Sequence, residues 1–360
     1  MTAATLPARP GEEDTALRPL PWRRMAGVTW RQHRIALAGV AVLLGAMAVW
    51  LWLMGLPLHH AYAAAAACRP ASSAACQGVI VSFSRDAENH FMGSKGAGGV
   101  LLQVVPALIG AFAGAPVLAR ELETGTFRYA WTQGFGRRRW ALAKLVLLAV
   151  VLAAATAAFG VLVSWYYQPD YAAGGRAMGL YQNSPFGDLF SLREVTFPAW
   201  TLTAFTIAAL AGMLLRRVVP AIAATLAVYA GLAIATAGLL RQHYLTPLVT
   251  ASLTVPGTST AWIISQWSTK DGRFAFAGNP TASVLNQLGP CLSAGNSKPL
   301  AGGFPQQLAQ CLAAHGYTQW TSYQPASRFW PFQWIEGGWL LALSALLIAA
   351  TIWLVHRRAA

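Results

Sequence analysis

Charge is scarce in this chain. Only 11% of its 360 residues are Asp, Glu, Lys or Arg, and only 12 residues are acidic. A soluble domain carries about a quarter charged residues, so there is too little polar surface here to coat a water-exposed body. The scarcity is also local, because six long runs contain no charged residue at all. Ion-coupled transporters and intramembrane hydrolases need acids, histidines or arginines at depth, so neither class is expected. A phosphate-binding loop is missing too. The stretch "FMGSKGAGG" has glycines and a lysine but not the G-x-x-x-x-G-K-[ST] spacing. Nucleotide hydrolysis, and enzyme activity in general, is not expected of this chain, which offers no catalytic constellation and no recognised metal site. It has no internal repeat and only four cysteines.

What the chain has instead is apolar length, with 56% hydrophobic residues. The charge-free runs are Ile35–Leu56, Gly98–Ala119, Leu145–Tyr167, Phe197–Leu215, Val218–Leu240 and Gly337–Val355. Each has about the 20 residues that cross a roughly 30 Å hydrocarbon core as a helix. Backbone groups in lipid must be satisfied within their own segment. The expected fold class is therefore an all-α integral membrane protein with six spans. Arg216 and Arg217 mark a tight turn between the fourth and fifth.

The net charge of +14 belongs to the flanks of the spans, so a nucleic-acid partner is not expected and membrane lipid is. With six spans the termini share a side. That side holds Arg9, Arg18, Arg23, Arg24, Arg31 and Arg34, the basic residues from Arg120 to Lys144, and Arg216, Arg217, Arg357 and Arg358, most of the 26 in the chain. The positive-inside rule puts both termini in the cytoplasm of a plasma-membrane protein. Trp165, Trp200, Trp330, Trp334 and Trp339 fall at the outer ends of spans, as an interfacial belt would.

The remaining segments follow from this frame. Residues 1–34 read as a polar tail followed by a helix lying in the cytoplasmic interface, or as a basic flank that only orients the first span. Residues 57–97, 168–196 and 241–336 are outer loops, the last long enough for a small folded cap, and 356–360 are a cytoplasmic tail. All four cysteines, Cys68, Cys76, Cys291 and Cys311, fall in outer loops. An even count on the oxidising side points to disulfides; three connectivities exist, and the two local pairs are simplest. A metal held by Cys68 with His59 and His60 is the rival, although the spacing fits no known site. Gly110 and Gly114 form G-x-x-x-G in the second span, which permits close helix approach or is a chance spacing among 33 glycines. Pro106, Pro116 and Pro220 are candidate kinks. Phe112, Phe159, Phe205 and Tyr229 either line an apolar route or face lipid and the bundle core.

The densest charge lies in "ARELETGTFRYAWTQGFGRRRWALAKL", residues 119–145. Residues 120–144 join the second and third spans, with room for a short helix from about Thr124 to Gly134; Glu121 and Glu123 would fall before or within its first turn, where the dipole favours anions. Orientation alone explains Arg138 and Arg139, but gives no reason for an acid in a basic loop.

This loop resembles that of permeases of type-2 ATP-binding-cassette (ABC) exporters, E-x-G-T-x-E-x-L-L-x-T-P-x-S-R-x-x-x-x-x-x-K. Glu123, Gly125, Thr126, Arg137 and Lys144 fall in register; Arg128, Gly134 and Gly136 depart from it. "GAFAGAPVLARELETGT" and "TWRQHR" are similar to actinobacterial members. The resemblance covers the six spans and this loop, and hardly touches the outer loops. It implies a two-permease pathway, as a homodimer or a pair with a paralogue, and separate ATPase subunits that bind ATP and magnesium. The loop would be a coupling helix, with Glu121, Glu123, Gly125, Thr126, Arg137 and Lys144 at the ATPase contact. The cargo would be a hydrophobic or amphipathic drug, peptide, lipid or glycoconjugate. The competing readings are a sensor or scaffold subunit without transport, and a membrane enzyme at the outer face. For the enzyme, the last loop offers only Asp271, Glu336, His243 and His315, far apart in sequence.

Overall fold

The computed structural model describes residues 22–70, 73–95, 97–125, 137–175, 184–187, 189–251, 260–277 and 312–358. Within these lie the helices α1 (Trp22–Ala67), α2 (Ala74–Lys95), α3 (Ala97–Thr124), α4 (Arg137–Gly175), α5 (Thr196–Leu215), α6 (Val218–Ala235) and α7 (Phe329–Arg358). All but α2 are long and apolar enough to cross a membrane. Their outward faces are apolar as well: Ile35, Val219 and Ile234 are 81%, 76% and 74% exposed. Apolar exposure on this scale marks a surface that water does not cover.

The first span is much longer than its charge-free run. Trp22–Ala67 is one helix of 46 residues, about 69 Å at 1.5 Å per residue, so the expected separate interfacial helix is absent. The reason is a continuous buried stripe. Met25, Thr29, Leu37, Leu44, Leu51, Leu58 and Ala65 are all buried and lie within one face at 100° per residue. From Leu37 onward the interval is seven, the period that keeps one seam on a neighbouring helix. That neighbour is α4, whose Leu145, Leu148, Leu152, Phe159, Val163 and Tyr166 enter the same core at alternating three-, four- and seven-residue steps.

The outer loop expected at 57–97 is also largely helical. The run "AYAAAAA" carries α1 on to Ala67 because alanine is the best helix former. α2 then returns alongside, with Tyr62 and Phe83 in ring contact at 5.7 Å, and a Cys68–Cys76 disulfide closes the hairpin at its turn. Cys68 is therefore committed to sulfur rather than to a metal. His59 stacks on Trp165 with ring centroids 4.3 Å apart. Cys291 and Cys311 lie outside the described residues.

α5 sits at the centre and packs on α3, α4, α6 and α7. Its approach to α3 is set by glycine. A Cβ on Gly110 would come within 2.6 Å of the Phe205 backbone nitrogen, and one on Gly114 within 2.4 Å of the Phe205 carbonyl oxygen. Gly212 answers from α5, where a Cβ would meet the Ala115 oxygen at 2.9 Å. The two backbones touch. Arg216 then turns the chain in left-handed geometry, φ 55°, its N–H donating to the Gly212 oxygen, and α6 starts at Val218.

The all-α expectation fails between α6 and α7. Here β1 (Leu248–Thr250), β2 (Trp262–Lys270), β3 (Arg273–Ala277) and β4 (Tyr317–Gln324) form an antiparallel sheet in the order β1-β4-β2-β3. "WIISQWSTK" and "YTQWTSYQ" are rich in aromatic and β-branched residues. Asp271 and Gly272 both have positive φ, the two-residue Asp-Gly turn that matches strand twist.

Candidate functional site

Two charged assemblies stand at opposite ends of the bundle, and neither has the form expected from sequence. At the α3–α4 end, Glu121 and Glu123 occupy the last turn of α3 rather than the first turn of a short helix. "PVLARELET" has no breaker after Pro116, so α3 continues until Gly125, whose φ of +71° ends it in the usual glycine manner. Acids at a helix C-terminus oppose the dipole, and for Glu121 a cation offsets this. Lys144, on α4 and only 2% exposed, pairs with it, and the Lys144 nitrogen lies 4.4 Å from the Trp140 ring centroid. Glu121 and Lys144 therefore tie α3 to α4. Glu123 is exposed. The backbone of Arg137 opens α4, while its side chain, Thr126 and the expected coupling helix lie outside the described residues.

At the sheet end a buried network contradicts the reading that no span contains charge. α6 continues through a π-helical turn, Thr236–Leu240, and a 3-10 turn, Arg241–His243, a local irregularity common at functional positions. It carries Arg241 into the protein. α7 begins at Phe329, earlier than Gly337, and so takes in Gln333 and Glu336. Both charged residues lie within candidate spans.

Glu336 is 0% exposed and accepts four hydrogen bonds. Arg241 donates from Nε at 2.9 Å and from Nη2 at 2.9 Å. Trp200 Nε1 donates at 2.9 Å and the Tyr244 hydroxyl at 3.3 Å. Arg241 Nη2 also donates to Ser191 Oγ at 2.9 Å, and its guanidinium lies 4.4 Å from the Phe190 ring centroid. Burial, reinforced by the Glu336 charge, pushes the Tyr244 phenol far above the usual tyrosine range, so it remains a hydrogen-bond donor. One turn away on α7, Gln333 Oε1 accepts the Val195 and Thr196 backbone N–H groups at 3.3 and 3.1 Å, serving the start of α5 from another helix. Trp200, expected in an interfacial belt, is 1% exposed inside this network; Trp330 and Trp334 are half exposed or more.

Beside the network lies a cavity of about 300 Å³. Gln103 of α3, Ser191, Trp200 of α5, Tyr229 of α6, Arg241 and Trp262 of β2 contribute to its wall. The sheet reaches it through an aromatic cluster in which Trp262 and Phe332 pack beside Phe186. Of the four aromatics singled out from sequence, Tyr229 lines this chamber, Phe159 and Phe205 are buried in the core, and Phe112 is 56% exposed. Reading spans as charge-free runs necessarily left Arg241 and Glu336 outside them. The surviving signal is a Gln333–Glu336 pair three residues apart in the aromatic string "FWPFQWIEGGW".

A family model described as "ABC-2 membrane transporter related" matches residues 41–241, more than half of the chain. The match ends at Arg241, so the sheet, Glu336 and α7 lie beyond it. No curated protein and no solved structure matches.

Proposed function

The chain belongs to the ABC-2 membrane transporter related family, and from that membership we propose that it is the permease subunit of an ABC-type exporter. The α3–α4 end faces the cytoplasm, in line with its basic residues, and the sheet faces outward. A separate ATPase holds ATP and magnesium and docks at that cytoplasmic end. Two permease chains, identical or paralogous, form the pathway for a hydrophobic or amphipathic cargo.

The observation that carries this reading is the continuity of α3. Exposed Glu123 stands at one end of the helix and Gln103, in the chamber wall, near the other. Between them Gly110 and Gly114 hold α3 against the α5 backbone, while Glu121–Lys144 fastens it to α4. A push near Glu123 would therefore move a rigid three-helix unit that borders the chamber, which is what a transmission element requires. Thr126 and Arg137 complete the proposed contact.

The test is Glu123→Arg in cells that also produce the ATPase. Efflux of a hydrophobic dye is expected to fall to the level of cells lacking the chain, with the variant inserted normally and ATP hydrolysis continuing. Wild-type efflux from that variant would remove the transmission role.

A further inference from the structure

The chamber at the sheet end has hydrogen-bonding capacity that its own walls leave unused. Every bond of Arg241 goes through Nε and Nη2; Nη1 has no partner among the described residues. The Tyr229 hydroxyl and the Trp262 indole N–H likewise have no partner among the described residues. None of these atoms is sealed away from a water-sized probe in the protein interior. The nearby acceptors are already engaged: both Glu336 oxygens take donors, and Ser191 Oγ takes Arg241. The spare capacity is therefore mostly donor. These donors are open to water in the cavity, so an occupant that supplies oxygen acceptors can replace that water without loss of hydrogen bonds.

Charge and shape narrow the occupant further. Glu336 neutralises Arg241 through a two-point contact, so the chamber holds no net charge with which to offset the desolvation of an ion. Flat aromatic rings stand among the polar groups of its wall. Trp200 meets Tyr229 edge-to-face at 5.2 Å, and Trp262 stacks on Phe186 at 5.7 Å. A volume of about 300 Å³ is at the lower end of small-molecule sites. We propose that this chamber, formed within one chain, is a binding site for an uncharged planar or polycyclic ligand bearing carbonyl-type acceptors. Nη1 of Arg241, the Tyr229 hydroxyl and the Trp262 N–H are the groups that recognise it. Calling that ligand a cargo rests on the permease reading; the binding itself does not.

The test is equilibrium dialysis of the full chain in lipid nanodiscs, with empty nanodiscs correcting for partition into lipid. Three probes share one ring system: 9-fluorenone presents a neutral carbonyl, fluorene has no acceptor, and fluorene-9-carboxylate is an anion. Fluorenone is expected to bind about tenfold more tightly than fluorene, the scale of one or two hydrogen bonds, and more tightly than the carboxylate. Tyr229→Phe removes only the hydroxyl, so it should weaken fluorenone several-fold while leaving fluorene unchanged; Trp262→Phe also shortens the wall and should weaken fluorenone more than fluorene. Unchanged fluorene binding also reports that the chamber is still formed. Equal binding of fluorenone and fluorene, tightest binding of the carboxylate, or indifference to both substitutions would overturn the proposal. The assay contains neither ATPase nor ATP, so it separates this site from the permease reading. Fluorenone binding by a chain that recruits no ATPase removes the permease and leaves the chamber; an ATPase complex indifferent to the carbonyl does the reverse.

Discussion

Glu336→Leu is expected to destabilise the protein by about 3–5 kcal/mol, the range for removing one partner of a buried ion pair. The loss is large because the substitution orphans several groups together. Arg241 loses the acceptor of Nε and one of the two acceptors of Nη2, and Trp200 Nε1 and the Tyr244 hydroxyl lose theirs. The site itself is shielded from bulk water, since Glu336 and Trp200 are 0% and 1% exposed. The double variant Arg241→Leu/Glu336→Leu removes both charges and should recover a substantial part of the loss, because neighbours in one network are not additive. Thermal unfolding in detergent, followed by tryptophan fluorescence, measures both. A single variant as stable as the parent, or a double variant worse than the sum of the singles, would mean that the pair does not anchor α6 to α7.

The second large effect concerns sign rather than size. Gly114→Ala and Gly231→Ala gain the same helix propensity, up to about 1 kcal/mol, yet they should move stability in opposite directions. At Gly231 a Cβ meets nothing within 4 Å, so alanine stabilises. At Gly114 it meets the Phe205 oxygen at 2.4 Å and the Ala208 Cβ at 2.8 Å. Those atoms belong to backbone and to a side chain without rotamers, so no rotation relieves the contact. α3 and α5 must separate, and the net cost is about 1–3 kcal/mol, as for other overpacked cores. Melting both variants beside the parent decides it. If Gly114→Ala rises with Gly231→Ala, the two helices are not held at backbone contact.

Much of this architecture is written in the charge pattern. Phe197–Leu215 lacks charge, and the helix is Thr196–Leu215; Arg216 and Arg217 separate it from a helix that begins at Val218. Charge-free runs mark where lipid is, and they fail where a helix outlasts lipid or buries a paired charge. α1 passes both ends of its run because alanine and a seven-residue buried stripe extend it. Charge-free runs put Arg241 and Glu336 at loop ends, because the rule that finds spans discards charged positions. Only the fold shows that each neutralises the other. Asp271-Gly272 between strand-rich strings is a hairpin signal inside the long loop, and Gly125 ends a helix that runs past its charge-free stretch. The Gly110 and Gly114 spacing is legible, but its meaning is not. With 33 glycines in the chain, only the position of Phe205 separates a contact from a coincidence.

The central claim is that a separate ATPase drives this chain through the end that carries Glu123. The most direct test is to purify the tagged chain from native membranes under gentle detergent and identify by mass spectrometry what accompanies it. The account predicts a soluble protein bearing a phosphate-binding loop and the ABC signature, retained by the parent chain. Recovery of the chain alone, under conditions that keep other membrane complexes together, would contradict it.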